Sequence, residues 1–394
     1  MSRINELIRA LCPEGVKFIP LGEALRNFDS KRRPITKSDR QGGEYPYYGA
    51  NGIQDYVADY IFDGTFLLVG EDGSVKKSDG RPVLNWATGR IWVNNHAHVL
   101  QSIRDDLDLR FVYFYLQTVD ISALVTGGTQ PKLNQKSMNS ISLAVPPLEV
   151  QREIVRILDQ FSLLEAELGS ELEAELEARQ KQYGYYRDWL ISAVDGQAVS
   201  MGELGTFMRG RRFTKNDVVD EGVPSIHYGE IYTDYGVSAS HAKRKVRSDM
   251  AGQLRYAQPR DVIFAGVGET VEDVGKAVAW LGSEPVAVHD DTFSFTSELD
   301  PKYVAYAVQT RDFHSQKANH VARGKVKRLS ATGLAKITIP VPNVAEQKRI
   351  VAVLDAFDAL INGLSIGLFT ELAARRKQYE YYRDKLLTFS EVAS

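Results

Sequence analysis

The stretch Val145 to Leu190, VPPLEVQREIVRILDQFSLLEAELGSELEAELEARQKQYGYYRDWL, recurs as Val341 to Leu386, VPNVAEQKRIVAVLDAFDALINGLSIGLFTELAARRKQYEYYRDKL, without a gap and with identity at about half the positions. An internal repeat at a fixed offset limits the fold more than composition does. Each copy places apolar residues at alternating steps of three and four: Ile154, Leu158, Phe161, Leu164, Leu168, Leu172 and Leu176, then Ile350, Leu354, Phe357, Leu360, Leu364, Leu368 and Leu372. That spacing lays a single apolar seam along a long helix, the pattern of a coiled-coil strand. Pro146-Pro147 and Pro342 fall just before the seams, where a fixed φ and a missing donor do least harm. Two helices with matching seams are expected to pack antiparallel on one another.

Read as a circle, the chain runs globule, helix, globule, helix. The opening, with a short helix at Ile4 to Leu11 and Leu21-Gly22-Glu23, matches the exit from the first repeat, with Met201-Gly202-Glu203. The amino terminus therefore supplies what would otherwise follow Leu386, and an internal two-fold axis is expected. The first globule shows β-rich runs at Tyr45 to Tyr48, Thr65 to Val69, Arg90 to Val93 and Ala97 to Ile103, then a helix at Leu109 to Val119. The second shows runs at Pro224 to Tyr228, Val262 to Ala265, Lys276 to Trp280 and Asp291 to Thr296, then a helix at Lys302 to Thr310. Counted back from the long helices, Gly128 falls on Gly324 and Leu133 on Leu329. The expected class is α+β: two β-rich globular domains separated by two long antiparallel coiled-coil helices, pseudo-two-fold and circularly arranged. The boundaries are 1–144, 145–196, 197–340 and 341–394.

Net charge is −3, which argues against a general basic field. Residues 1–144 hold 17 Lys+Arg against 16 Asp+Glu, and residues 197–340 hold 19 against 17. Acid concentrates in residues 145–196, with 5 against 11. The lone Cys12 excludes an internal disulfide, and no signal peptide or membrane-spanning run is expected, so the reading is cytoplasmic.

No phosphate loop, nucleophile elbow, HExxH or aminomethylating Asn/Asp-Pro-Pro-aromatic tetrapeptide is present, so no catalytic residue is assigned. His96, His98 and His289-Asp290 come nearest to metal ligands; without a further clustered His or Cys they are expected to be structural, and no metal site is assigned. Basic clusters recur in equivalent loops. Lys31-Arg32-Arg33 follows Leu21-Gly22-Glu23 as Arg209-Gly210-Arg211-Arg212 follows Met201-Gly202-Glu203. Lys132 in one globule and Arg323, Lys325, Lys327 and Arg328 in the other precede the long helices; Lys76-Lys77 and Lys243-Arg244-Lys245 with Arg247 are particular to one globule each. Such loops suit DNA phosphates. Tyr45, Tyr47, Tyr48 and Asn51, with His227 and Tyr228 at the matching place, suit base edges or stacking, or else the core.

These features together closely resemble the specificity (S) subunit of Type I restriction-modification systems. The resemblance rests on EVQREIVRILD and EQKRIVAVLD, RQKQYGYYRDWL and RRKQYEYYRDKL, the opening LCPEGVKFIPLGE and the loop GGTQPKL, and it spans the chain. It implies two target-recognition domains, each reading one half of a bipartite double-stranded DNA target, with the helix pair setting the spacer. It also implies two methyltransferase subunits docked on the helices and carrying S-adenosylmethionine, and restriction subunits using ATP and Mg; this chain would bind no cofactor and catalyse nothing. A pseudo-symmetric adaptor without DNA readout would share the repeat, but the equivalent basic loops favour DNA. A self-sufficient methyltransferase lacks its motifs.

Overall fold

The computed structural model describes residues 3–194, 196–322 and 324–392. It divides into two units, one made of Met1–Glu171 with Phe369–Ser394 and one of Leu172–Leu368. Each unit is a globule plus part of each long helix. The helices run over Leu148–Ser192 and Val344–Leu386.

In the first unit a six-stranded sheet has the order Leu25–Asn27, Ala97–Ser102, Phe62–Gly70, Leu84–Val93, Gly42–Gly49, Gly52–Val57. Its core gathers Leu67, Leu100, Phe111, Leu133 and Leu143 with Ile4 near the amino terminus and Leu387 near the carboxyl terminus. The amide of Val16 donates to Ser390 O at 2.8 Å, so both ends of the chain close one globule. In the second unit the place of Leu387 is taken by Leu190 and Ile191, which reach its core along an unbroken chain. The sheets there are shorter. One joins Gly205–Arg209, Thr292–Ser297, Val262–Ala265, Ala277–Trp280 and Ser238–Ala239; another joins Val218–Val219, Arg244–Val246, Val223–Ile226, Val286–Val288 and Tyr256–Ala257.

The frame around each long helix is the same in both units. Lys17–Pro20 pairs antiparallel with Ser142–Val145, and Gln197–Ser200 with Thr338–Val341. Leu21 N donates to Ile141 O at 2.8 Å and Met201 N to Ile337 O at 2.9 Å. A buried glutamine fixes each helix start: Gln151 Nε2 donates to Pro146 O at 2.7 Å, and Gln347 Nε2 to Pro342 O at 2.9 Å. A cation from the short helix Leu109–Leu116 or Pro301–Ala307 then holds an aspartate of the long one, Arg110 with Asp159 at 2.7 Å and Lys302 with Asp355 at 2.5 Å.

The seam packs the two long helices on one another within each unit, as expected, but it is buried unevenly along its length. Ile154, Leu158, Ile350 and Leu354 are fully buried, in clusters that join each globular core to residues of the other long helix, Tyr379 and Leu386 in the first unit and Tyr183 and Leu190 in the second. Burial of each stabilises its unit by roughly 1.5–3 kcal/mol. Next along the helices aromatics meet: Phe161 lies 6.4 Å between ring centres from Tyr379 and Tyr382, and Phe357 stacks on Tyr186 at 5.7 Å. Within each unit residues ascend on one helix as they descend on the other, which is antiparallel packing. Beyond these rings Leu168, Leu172 and Leu368 are half-buried and Leu364 is exposed, because a pair offers each seam only one partner surface. One departure concerns hydropathy. The second long helix contains an 18-residue window of mean hydropathy 1.6, apolar enough by length and composition to cross a membrane. Its flanks account for it otherwise, since Ile350 and Leu354 anchor in a globular core and Phe357 packs on Tyr186.

Candidate nucleic-acid interface

In the first unit four loops converge. Gly52 takes φ +105°, which glycine adopts without strain, so Gly42–Gly49 and Gly52–Val57 turn tightly at Ala50-Asn51. Asn51 Nδ2 then donates to Ser74 Oγ at 2.6 Å, tying that turn to the loop bearing Lys76 and Lys77. The loop before the long helix lies alongside: Gly73 N donates to Pro131 O at 3.0 Å and Leu133 N to Glu71 O at 2.8 Å. Lys132 is exposed, its Nζ 3.6 Å from Glu71. Lys31 is exposed and stands over the Phe28 ring; Arg33 is also exposed.

Two expected contacts are corrected. Arg32 does not face outward: its Nη1 donates to Glu71 at 2.5 Å and to Ala97 O at 2.8 Å, and it sits 3.4 Å from Asp29. Tyr47 is 1% exposed, covered by Arg40 and donating no face to solvent; its hydroxyl accepts from Ile35 N at 3.0 Å. A buried ring cannot stack on a base, so Tyr47 is a core residue. Tyr45 and Tyr48 are half-buried, Tyr45 against Tyr60.

Asp29, Glu71 and His98 lie within metal-ligand distance of one another, as do His289, Asp290 and Asp291. In the first group Arg32 already supplies the counter-charge. His98 Nδ1 meets Asp29 at 2.5 Å and its Nε2 reaches Leu133 O at 2.8 Å, so the buried ring latches the loop preceding the long helix to the sheet. Hydrogen bonding from His98 holds the Asp29 carboxyl below its ordinary value, overcoming the opposing effect of burial, which is the largest single influence. His96 pairs with Asp72. In the second group His289 Nε2 donates to Phe213 O at 3.0 Å and its Nδ1 accepts from Asp291 N at 3.2 Å, so both ring nitrogens are already engaged.

In the second unit Arg211 N donates to Val288 O, as Arg33 N does to Val93 O in the first, so the two basic loops are structurally equivalent. Arg211 and Arg212 are exposed. Arg209 Nε donates to Asp290 O at 2.6 Å, and Arg328 meets Asp291 at 3.2 Å; together with His320 and Ser330 they line a hollow of about 240 Å³. His227 caps the helix Tyr228–Thr233 by accepting from Gly229 N at 3.2 Å, with its ring 4.4 Å from those of Tyr228 and His289. Burial first, then His289, lowers its pKa to about 4, so the ring is neutral near pH 7. Tyr228 and Lys325 border a larger hollow of about 590 Å³ with Tyr232 and Lys276. Lys243 pairs with Asp234 at 3.1 Å, Arg244 with the buried Glu230 at 3.3 Å, and Arg247 with Asp217 at 3.4 Å, while Lys245 is half-buried in its strand. Lys327 Nζ donates to Gly324 O at 3.0 Å; Arg323 lies outside the described residues.

Sequence reasoning passed over Lys215, which lines a hollow with His227 and Arg244, and Lys276, whose Nζ donates to Tyr232 O at 3.3 Å. Lys276 stands in the sequence beside Gly275, but nothing in the spacing shows that burial lowers its pKa or that it faces Tyr228.

A family model described as the Type I restriction modification DNA specificity domain matches residues 13–178 and again 194–369. Among curated relatives, the chain is 33% identical to a type I restriction enzyme specificity subunit of Haemophilus influenzae, covering 95% of this chain and 96% of that one. It is 29% identical to the EcoR124I/EcoR124II specificity subunit of Escherichia coli, covering 99% and 98%. Among solved structures, the fold is similar to the HsdS subunit from Thermoanaerobacter tengcongensis, with a TM-score of 0.51 at 16% identity over 95% of this chain and 97% of that one. A chain from a structural study of complex assembly and conformational transition of the type I R-M system gives a TM-score of 0.64 at 16% identity, over 95% and 98%.

Proposed function

The chain belongs to the DNA specificity subunits of Type I restriction-modification systems, and from that premise we propose that each unit reads one half of a bipartite duplex target while the long helices set the gap. The observation that carries this reading is that the specificity-domain model matches twice, once on each half of the repeat. Support comes from the equivalent basic loops around Arg33 and Arg211. In the first unit Lys31, Arg33, Tyr48, Asn51, Lys76, Lys77 and Lys132 would meet DNA. In the second, Arg209, Arg211, Arg212, His227, Tyr228, Lys243, Arg244, Lys245, Lys325 and Lys327 would do so, the cations mainly at phosphates and the neutral side chains at bases. The helix pair would dock two methyltransferase subunits, which carry S-adenosylmethionine; restriction subunits would bring ATP and Mg.

A helix rises about 1.5 Å per residue, so four added residues lengthen it by about 6 Å, or about two base pairs at 3.4 Å each. Inserting four residues after Leu172 and four after Leu368 is expected to widen the unread spacer and leave both half-sites unchanged. Mapping methylated adenines in cells carrying the variant and its partners tests this; altered half-sites with the old spacer overturn it.

A further inference from the structure

Each unit carries a groove along its part of the helix pair, and the repeat makes the two comparable position by position. In the first unit Leu164, Glu167, Leu168 and Glu171 face Arg375 and Tyr379 across a groove of about 500 Å³. In the second, Glu175, Arg179 and Tyr183 face Leu360, Ile361 and Leu364 across about 210 Å³. The apolar frame repeats: Leu164 corresponds to Leu360, Leu168 to Leu364, Tyr379 to Tyr183 and Arg375 to Arg179. The charge does not. Glu165, Glu167 and Glu171 of the first groove correspond to Ile361, Gly363 and Gly367 in the second helix.

Ion pairing sharpens the contrast. Arg179 is bound to Glu175 at 2.8 Å, which leaves the second groove neutral. In the first, Arg375 is held by Glu371 at 2.8 Å and Glu165 reaches Arg376 at 3.5 Å. Among the described residues no cation lies within ion-pair distance of Glu167 or Glu171. Leu164 and Leu360 are 61% and 64% exposed, and the apolar window of the second helix is only 17% buried, so both grooves present surface that a soluble chain ordinarily covers.

We propose that the two grooves hold two copies of one partner, the methyltransferase subunit, by different physical means. A basic rim on an apolar helix of that partner pairs with Glu167 and Glu171 in the first groove, while the second groove holds the same helix by apolar contact alone. This rests on the reading that the helix pair docks two methyltransferase copies. Since both copies present one surface, the difference between the sites lies in this chain. Opposite charges across an exposed rim are screened as the Debye length falls from about 10 Å at 0.1 M salt to about 3 Å at 1 M. Apolar burial is not weakened by such screening. Affinity at the first groove is therefore expected to fall roughly tenfold over that range, on the scale of two exposed ion pairs, and at the second to hold.

Sedimentation velocity of the full chain copurified with its methyltransferase, near the dissociation concentration, tests this at 0.1 M and 1 M NaCl. The expected result is two bound copies at low salt and one at high salt. Glu167→Lys with Glu171→Lys, both on the surface, is expected to leave one copy at either salt. Leu360→Asn with Leu364→Asn, which removes apolar surface without adding charge, is expected to leave one copy at low salt and none at high salt. Loss of both copies together, retention of two at 1 M, or two copies on the double-lysine variant at 0.1 M would overturn the asymmetry while leaving the docking reading intact. Failure of any copy to bind at any salt, or self-association of this chain through the apolar groove in its place, would overturn the docking reading and the asymmetry with it.

Discussion

Removing Gln151 tests how the long helix is fastened to the first globule. Its Oε1 accepts from Asp108 N at 2.8 Å, and its Nε2 donates to Asp106 O at 2.8 Å and Pro146 O at 2.7 Å. The side chain is fully buried. Asp108 in turn caps the helix Leu109–Leu116 by accepting from Arg110 N and Phe111 N. Gln151→Ala orphans one N–H and two carbonyls. A buried orphan costs about 1–3 kcal/mol, and because Asp106 lies near solvent we take about 3 kcal/mol for the set. At about 1.4 kcal/mol per factor of ten, that is on the order of a hundredfold. With two compact units in one chain, a single global denaturation curve would dilute a local effect; hydrogen exchange followed by mass spectrometry reports it locally. Amides around Asp108 to Phe111 should exchange about a hundredfold faster, with the second unit unchanged. Gln347→Ala, which loses the bonds to Asp300 N and Pro342 O at 2.9 Å each, should do the same around Asp300 by a smaller factor. Unchanged exchange at Asp108, or equal acceleration in both units, would refute the reasoning.

Tyr47→Phe removes the hydroxyl that accepts from Ile35 N and should cost about 1 kcal/mol of stability; a changed methylation sequence in that variant would restore Tyr47 to the reading surface. Lys76→Glu with Lys77→Glu should weaken binding to all duplexes and lower the slope of log affinity against log salt by roughly two, as two lost phosphate contacts require; an unaltered slope places both lysines away from DNA. His227 and His314 have pKa values lowered to about 4, by burial first and then by His289 and Lys317 respectively. The unfolded chain titrates near 6.5 and takes up protons that the folded one refuses, so stability should fall as pH drops from about 6.5 toward 4. His314→Gln should reduce the loss of urea midpoint between pH 7 and pH 5; equal losses in variant and parent exclude His314 as a source.

Much of the frame was legible because it repeats. The seam, the paired openings at Leu21 and Met201, and the equivalence of Leu133 with Leu329 reappear as matched helices, matched turns and two buried leucines. The fastenings were equally visible in retrospect: Gln151 with Gln347 and Asp159 with Asp355 hold the same places in both copies. Gln151 and Gln347 fall on the apolar period, three residues before Ile154 and Ile350, but as polar side chains they do not register in an apolar pattern, and Asp159 and Asp355 stand off it. Strands such as Gly52–Val57 and Gly205–Arg209 were missed because they are short and lack clean alternation.

The sequence by itself determined that two similar globules alternate with two long helices and that their basic loops correspond, since a repeat at fixed offset must fold the same way twice. Only the tertiary structure decided which residues those loops spend on themselves. Arg32 turns inward because Glu71, Asp29 and the Ala97 carbonyl converge on it from strands and loops far apart in the chain, whereas the equivalent Gly210 has no room for a side chain against Val288 and His289. Tyr47 and its neighbour Tyr48 part company because successive residues of a strand face opposite sides, and only folding fixes which side is covered.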